Sequence, residues 1–395
     1  MTTTTAPPEL RKTRAAPGTP LYVHLPFCAA KCHYCDFFSV AAEGHDRGAL
    51  LDALLEEARR FAPRAPRTVF FGGGTPSLLD GAELERLLEE LERICGWRAS
   101  AAEVTLECNP ESLDLSKARL LRALGVGRLS IGFQSLDPST LQLFGRVHGV
   151  EQSFAAFAAA RSAGFDNLNV DLIYAVPGQE LETWERDLTR ILALEPEHVS
   201  AYNLTFEEET LFRKWMEEGL LKSLPEEREL AFFWRTRERL AEVGIGAYEI
   251  SNFSRSGREC LHNLNYWRNG EYLGIGPSAV SKTGNRRLGN VKGIQGYARR
   301  LAEGPDALVF GEEPETLARL AETWWLGLRL SGGLSPAEAR TRAGAPAGFD
   351  DPMPAVAERL LGQGLLEEQA GRLRLTQAGL PLADFVARQF LAVPG

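Results

Sequence analysis

Between Leu21 and about Thr205, short β-rich runs alternate with amphipathic segments, and this alternation constrains the fold more than any other feature of the chain. The runs are Leu21–Phe27, Thr68–Phe71, Glu103–Cys108, Arg128–Phe133, Asn167–Val176 and His198–Leu204. Helices are expected over Ala49–Phe61, Gly81–Ile94, Lys117–Ala123, Gln152–Ala163 and Leu181–Ala193. In the second of these, Leu84, Leu87, Leu88, Leu91 and Ile94 recur at helical spacing with Glu and Arg between them. Polar residues cluster just past nearly every strand: Gly72 to Pro76, Glu107 with Asn109, Gln134, Asp171, and Asn203 with Thr205. A doubly wound sheet uses mainly one switch point, whereas a (β/α) barrel gathers all its strand ends around one mouth. The fold class is therefore α/β, a partial (β/α)6 barrel.

A length of 395 residues allows two or three domains and a core that needs no disulfide staple. Residues 1–20 are biased to Thr, Pro and Ala and are expected to be a disordered tail; the barrel is expected over 21–250. A connecting segment should follow over 251–310, and a mainly helical C-terminal domain over 311–395. That last part has helix starts at Ser335-Pro336 and Thr376. Its short hairpin crosses Gly371, giving a winged-helix-like outline. It carries no basic cluster, so packing or a lid role is expected there. A net charge of −9 argues against a large nucleic-acid surface. No apolar run approaches the ~20 residues of a membrane span, and six scattered cysteines do not make a secreted disulfide scaffold. The expected compartment is the reducing cytoplasm.

Cys28, Cys32 and Cys35 form a C-x3-C-x2-C loop directly after the first run. Structural zinc favours four protein ligands in pairs, and no second pair lies nearby. Three thiolates on one short loop suit a [4Fe–4S] cluster with one iron left open. Cys95, Cys108 and Cys260 are isolated and read as packing residues.

With Y-V-H-L-P-F before it and G-G-G-T-P after the next strand, this loop resembles the radical S-adenosylmethionine superfamily. The resemblance implies a cluster on Cys28, Cys32 and Cys35, with S-adenosylmethionine chelating its fourth iron. Gly73 and Gly74 would let backbone approach the methionine moiety and donate N–H bonds to its carboxylate. Glu107 and Asp171 suit the ribose hydroxyls or the amino group, Arg146 the carboxylate, and Gln134 a bridging role. Tyr22, Thr75, Thr205 and Val280 complete the expected cofactor contacts. The bland alternative makes Glu107 and Asp171 strand-end capping residues and Arg146 a surface ion-pair partner.

The strings R-L-S-I-G-F-Q-S, D-L-I-Y-A-V-P-G-Q and G-I-G-P-S-A-V-S resemble the anaerobic coproporphyrinogen III oxidase family. Its oxidases carry a further cysteine where this chain has Phe37, and His262 to Trp267 reads H-N-L-N-Y-W. Both features are similar to the heme-chaperone branch. The resemblance implies heme as cargo, His262 as its iron ligand beside Tyr266 and Trp267, and hemoproteins, respiratory or storage, as recipients. Flavodoxin or ferredoxin is an implied electron donor, and peripheral membrane association through a recipient fits the same picture. The alternative is an oxidase that decarboxylates coproporphyrinogen III; a radical enzyme with an unrelated small substrate is a third reading. Without the resemblance, His262 reads as a structural histidine beside core aromatics.

Overall fold

The computed structural model describes residues 11–393. Six parallel strands form its centre: β1 (Leu21–Leu25), β2 (Thr68–Gly73), β3 (Glu103–Cys108), β4 (Arg128–Gln134), β5 (Leu168–Tyr174) and β6 (His198–Asn203). Each is followed by a covering helix, among them α1 (Arg47–Phe61), α2 (Gly81–Cys95), α3 (Leu115–Ala123), α4 (Pro138–Leu143), α5 (Val150–Ser162), α6 (Leu181–Leu192), α7 (Leu211–Glu217) and α8 (Glu226–Glu242). The strands are nearly all buried on both faces, as parallel strands under helices must be. Local chemistry sets the boundaries. Asp80 and Glu83 form a capping box at the start of α2, and Gly96 in the left-handed region ends it.

The sheet runs past its expected end at residue 250. Strands β7 (Gly246–Ala247) and β8 (Asn252–Ser254) extend one edge in antiparallel pairing, and β9 (Leu273–Ile275) joins β1 in parallel at the other. The order is β9-β1-β2-β3-β4-β5-β6-β8-β7, and its two ends do not pair, so the barrel is partial. The short helix α9 (Leu261–Trp267) lies between β8 and β9. The expected connecting segment also supplies a three-stranded antiparallel sheet of β10 (Val280–Thr283), β11 (Arg286–Asn290) and β12 (Leu308–Glu312), with α10 (Ile294–Glu303) inside it.

The tail expectation is corrected for residues 11–20; residues 1–10 lie outside the described residues. Lys12 is buried and pairs with Glu57 of α1 at 2.7 Å, the two side chains being 1% and 0% exposed. Glu57 also accepts from Gly276 N, Asn290 Nδ2 and the Tyr297 hydroxyl. One buried carboxylate thus ties the N-terminal arm, α1, the loop after β9 and α10 together.

The C-terminal unit has its own core, in which Trp324 of α11 (Thr316–Leu328) stacks on Phe390 of α14 (Ala383–Leu391) at 5.1 Å. Helix α12 (Pro336–Arg342) starts on a Ser335–Glu338 capping box, as its Ser-Pro start predicts. Helix α13 (Met353–Gly362) leads into the hairpin β13 (Leu366–Gln369) and β14 (Arg372–Leu375). Ala370 and Gly371 both have positive φ there, the geometry a two-residue hairpin turn needs. Leu334 bridges Leu373 as a third rung. The helix expected at Thr376 begins instead at Ala383, because the Thr376 hydroxyl caps a turn by accepting from Gly379 N.

Candidate functional site

The C-terminal ends of the strands open into a cavity of about 980 Å³. Cys28, Cys32 and Cys35, each half-buried, line its wall with Gly73, Gly74, Thr75, Glu107, Gln134, Arg146, Asp171 and Thr205. Eleven of the fourteen residues expected at the site are therefore brought together.

The cysteine loop is fixed at both ends. Phe27–Cys28 pairs in parallel with Val40–Ala41. Inside the loop, His33 donates its backbone N–H to Phe144 O and its Nδ1–H to Leu143 O. Tyr34 packs edge-on against Phe144 at 4.8 Å. His24 Nε2–H donates to Phe38 O at 2.9 Å, so its Nδ1 accepts the Tyr22 hydroxyl at 3.0 Å. Burial lowers the pKa of His24, which keeps this neutral tautomer.

Arg146 is the pivot of the polar wall. It donates to Cys32 Sγ at 3.3 Å, to Asn109 Oδ1 at 2.6 Å and to Gly132 O at 3.1 Å. Asn109 passes the contact on to Thr75 Oγ1, whose own hydroxyl points to Cys28 Sγ at 3.7 Å. From the sequence Asn109 reads only as a strand-end residue; its signal is its position two residues past Glu107. Opposite lie two buried carboxyls. Burial, with Asp171 near, pushes Glu107 up to about 8. Burial also raises Asp171, against hydrogen bonds from Ser130 and Asn169.

Four expectations need correction. The glycine amides are not free donors: Gly73 N–H goes to Glu107 Oε2 at 3.1 Å and Gly74 N–H to Leu25 O at 2.8 Å. These glycines serve close approach instead, since a Cβ on Gly74 would sit 2.6 Å from Phe27 O. Tyr22 lies inside the barrel against Phe70 and reaches the cysteine loop only through His24. Val280 sits in β10, away from the cavity, because that strand joins the separate three-stranded sheet.

His262 is the fourth. Its imidazole is 1% exposed and lies at the opposite end of the barrel, where Nδ1 meets Oγ1 of Thr68, the first residue of β2, at 2.8 Å. Nε2 meets the Tyr266 hydroxyl at 3.0 Å. Glu103 accepts from the backbone N–H groups of Leu261 and His262, holding the start of α9. An exposed imidazole beside an aromatic wall is therefore not what the fold presents. Burial pushes His262 down to about 3, so the ring is neutral at physiological pH.

Comparison with known proteins follows this geometry. The radical SAM superfamily matches residues 22–191, and the HemN C-terminal domain matches 317–382. The heme chaperone HemW of Bacillus subtilis (strain 168) is 34% identical over 375 residues, covering 94% of this chain and 98% of that protein. The one from Mycobacterium tuberculosis (strain ATCC 25618 / H37Rv) is 38% identical over 397 residues, 98% of each chain. The chain belongs to the heme chaperone HemW family. Its fold is similar to that of the solved coproporphyrinogen III oxidase (HemN) of Escherichia coli, described as a radical SAM enzyme. That match has a TM-score of 0.81 and 25% identity, over 96% of this chain and 91% of that one.

Radical SAM membership implies a [4Fe–4S] cluster and S-adenosylmethionine. The residues present fit both groups: three thiols face one cavity, with a cation, two carboxyls and a Thr–Asn pair around them. Burial raises Cys28 and pushes Cys35 up to about 11. Ligation by these thiols is therefore coupled to proton release.

Proposed function

We propose that this chain carries heme and hands it to hemoprotein recipients, with a cluster on Cys28, Cys32 and Cys35 and S-adenosylmethionine at the barrel mouth. The cofactor pair supplies one-electron chemistry when bound. The chain's own residues orient it: Arg146 faces a carboxylate, Glu107 and Asp171 face the amino group or ribose, and Thr75 and Gln134 bridge polar atoms.

The observation that carries the reading is Phe37. It is 67% exposed at the cavity rim, two positions past the third cysteine, where the oxidases carry a further thiol. A phenyl ring supplies neither an iron ligand nor a proton relay, and it offers apolar surface to a porphyrin.

His262 is the iron ligand that the H-N-L-N-Y-W motif offers. It is neutral, as ligation requires, and iron would take one ring nitrogen in place of its bond to Thr68 or to Tyr266.

The likeness to the oxidase fold favours porphyrinogen decarboxylation as the second reading. The test is paired: titrate the reconstituted protein with heme, and assay coproporphyrinogen III conversion with reductant and S-adenosylmethionine. The chaperone reading expects a Soret band and no turnover above the cluster-free control. Turnover reverses it in favour of the oxidase.

A further inference from the structure

Away from the barrel mouth, β10 and β11 meet α11 and α12 around a cavity of about 10 Å³, room for one oxygen-sized atom. Lys282, Arg286, Arg287, Arg319 and Arg342 line it, against a single acid, Glu322. Ion pairs account for two of these cations. Arg287 meets Glu322 at 2.6 Å and Glu312 at 3.2 Å, and Arg286 meets Glu313 at 3.3 Å.

Of the other three, Lys282 and Arg319 make no ion pair among the described residues, and Arg342 makes only a long one. Lys282 donates only to the carbonyl and side-chain oxygens of Asn269. Arg319 spends its donors on Ala343 O, Pro314 O and the Thr316 hydroxyl, all uncharged. Arg342 reaches Glu338 only at 3.4 Å, and that carboxylate also serves Arg372 at 2.6 Å. Arg342 Nη1 is buried with no hydrogen-bond partner. Burial pushes Lys282 down to about 8; Arg287 and Arg319 add to the lowering, and Glu322 and Glu271 work against it.

We propose that this cavity is an oxyanion site that seats one oxygen of a carboxylate or phosphate group between Lys282, Arg319 and Arg342. A planar guanidinium and an ammonium converging on one small space match the lone pairs of such a group. The volume admits one oxygen of a terminal group, which excludes a buried polyphosphate. Filling the site ties α11 and α12 to the β10–β11 hairpin, because its cations come from both sides of that junction.

Two sources supply this chemistry: free phosphate, and a heme propionate. The second follows from position. Lys282 pairs across a bridge with Tyr272, whose ring meets that of Tyr266 edge-on at 4.6 Å, and Tyr266 is hydrogen-bonded to His262. The propionate source rests on the heme reading above; the oxyanion site does not.

The experiment titrates the full chain with inorganic phosphate at constant ionic strength, read by calorimetry and thermal shift, for the parent, Lys282→Met and Arg342→Gln. Expected is saturable, stabilising binding in the parent, weakened at least tenfold in each variant. Heme and its dimethyl ester are titrated in parallel. An ester at least tenfold weaker than heme in the parent, with no such gap in Lys282→Met, assigns the site to a propionate. Saturable phosphate binding with no ester penalty assigns it to free phosphate. If heme itself does not bind, the carrier reading fails while the phosphate arm still decides the site. No phosphate saturation together with no ester penalty overturns the site, as do effects that persist unchanged in both variants.

Discussion

Replacing Glu107 by Gln should make the cofactor-free protein more stable while weakening its hold on S-adenosylmethionine. The carboxyl is buried beside Asp171, and its pKa rises from 4.5 to about 8 in the fold. In the unfolded chain it returns to the ordinary value, so between these limits the folded state binds more protons. Stability from this group is fully present below about 4.5 and is lost as pH rises through about 8. At roughly 1.4 kcal/mol per pH unit, the loss is on the order of 3–5 kcal/mol. The glutamine amide keeps an acceptor for Gly73 N–H and removes the charge. Thermal unfolding of parent and Glu107→Gln, without cluster or cofactor, is compared from pH 4 to 9; Asp171 is present in both. The two midpoints should agree near pH 4 and separate by several degrees toward pH 9, with the variant higher. Cofactor affinity should fall about tenfold, the worth of a hydrogen bond to a charged group. Midpoints that stay parallel across the pH range would refute the argument.

Lys12→Met should cost about 3–5 kcal/mol in urea unfolding, because it leaves the Glu57 carboxylate buried without its ammonium. Adding Glu57→Gln to it should recover part of that loss, and equal stability of parent and Lys12→Met would contradict the buried pair. Anaerobic reconstitution should give about four irons per chain. Ala at Cys28, Cys32 or Cys35 should abolish the visible iron–sulfur absorption, whereas Ala at Cys95 or Cys260 should leave it; a stable cluster in the triple variant would sink the assignment. Arg146→Ala should weaken S-adenosylmethionine binding by ~2–5 kcal/mol, since it strips a buried charge from the wall shared with Asn109; unchanged affinity would show the pocket misplaced.

The barrel was legible because each parallel strand and its helix is a local event. The run at Glu103 and the leucine spacing of α2 declare themselves within a few residues. The mouth followed, since strand direction alone puts Glu107, Gln134 and Asp171 at one end. What escaped depends on partners distant in sequence. Lys12 reads as tail until Glu57 meets it 45 residues later. His262 reads as a ligand in the short H-N-L-N-Y-W motif, and nothing local tells that Thr68, 194 residues away, meets one of its nitrogens while Tyr266 meets the other. Val280 belongs to a run that resembles a cofactor motif, yet pairing with Gly289 carries its strand into another sheet. Helices α4, α7 and α9, of six or seven residues each, are too short for hydrophobic periodicity to announce them.

Heme uptake with His262 on the iron is the property on which the proposed function stands. Heme titration of parent and His262→Ala, each with its cluster reconstituted and its iron content matched, tests it most directly. The expected result is a saturable Soret band in the parent that is lost or shifted in His262→Ala with the cluster absorption intact. A parent that binds no heme contradicts the carrier reading, and a His262→Ala variant that binds heme like the parent places the iron ligand elsewhere.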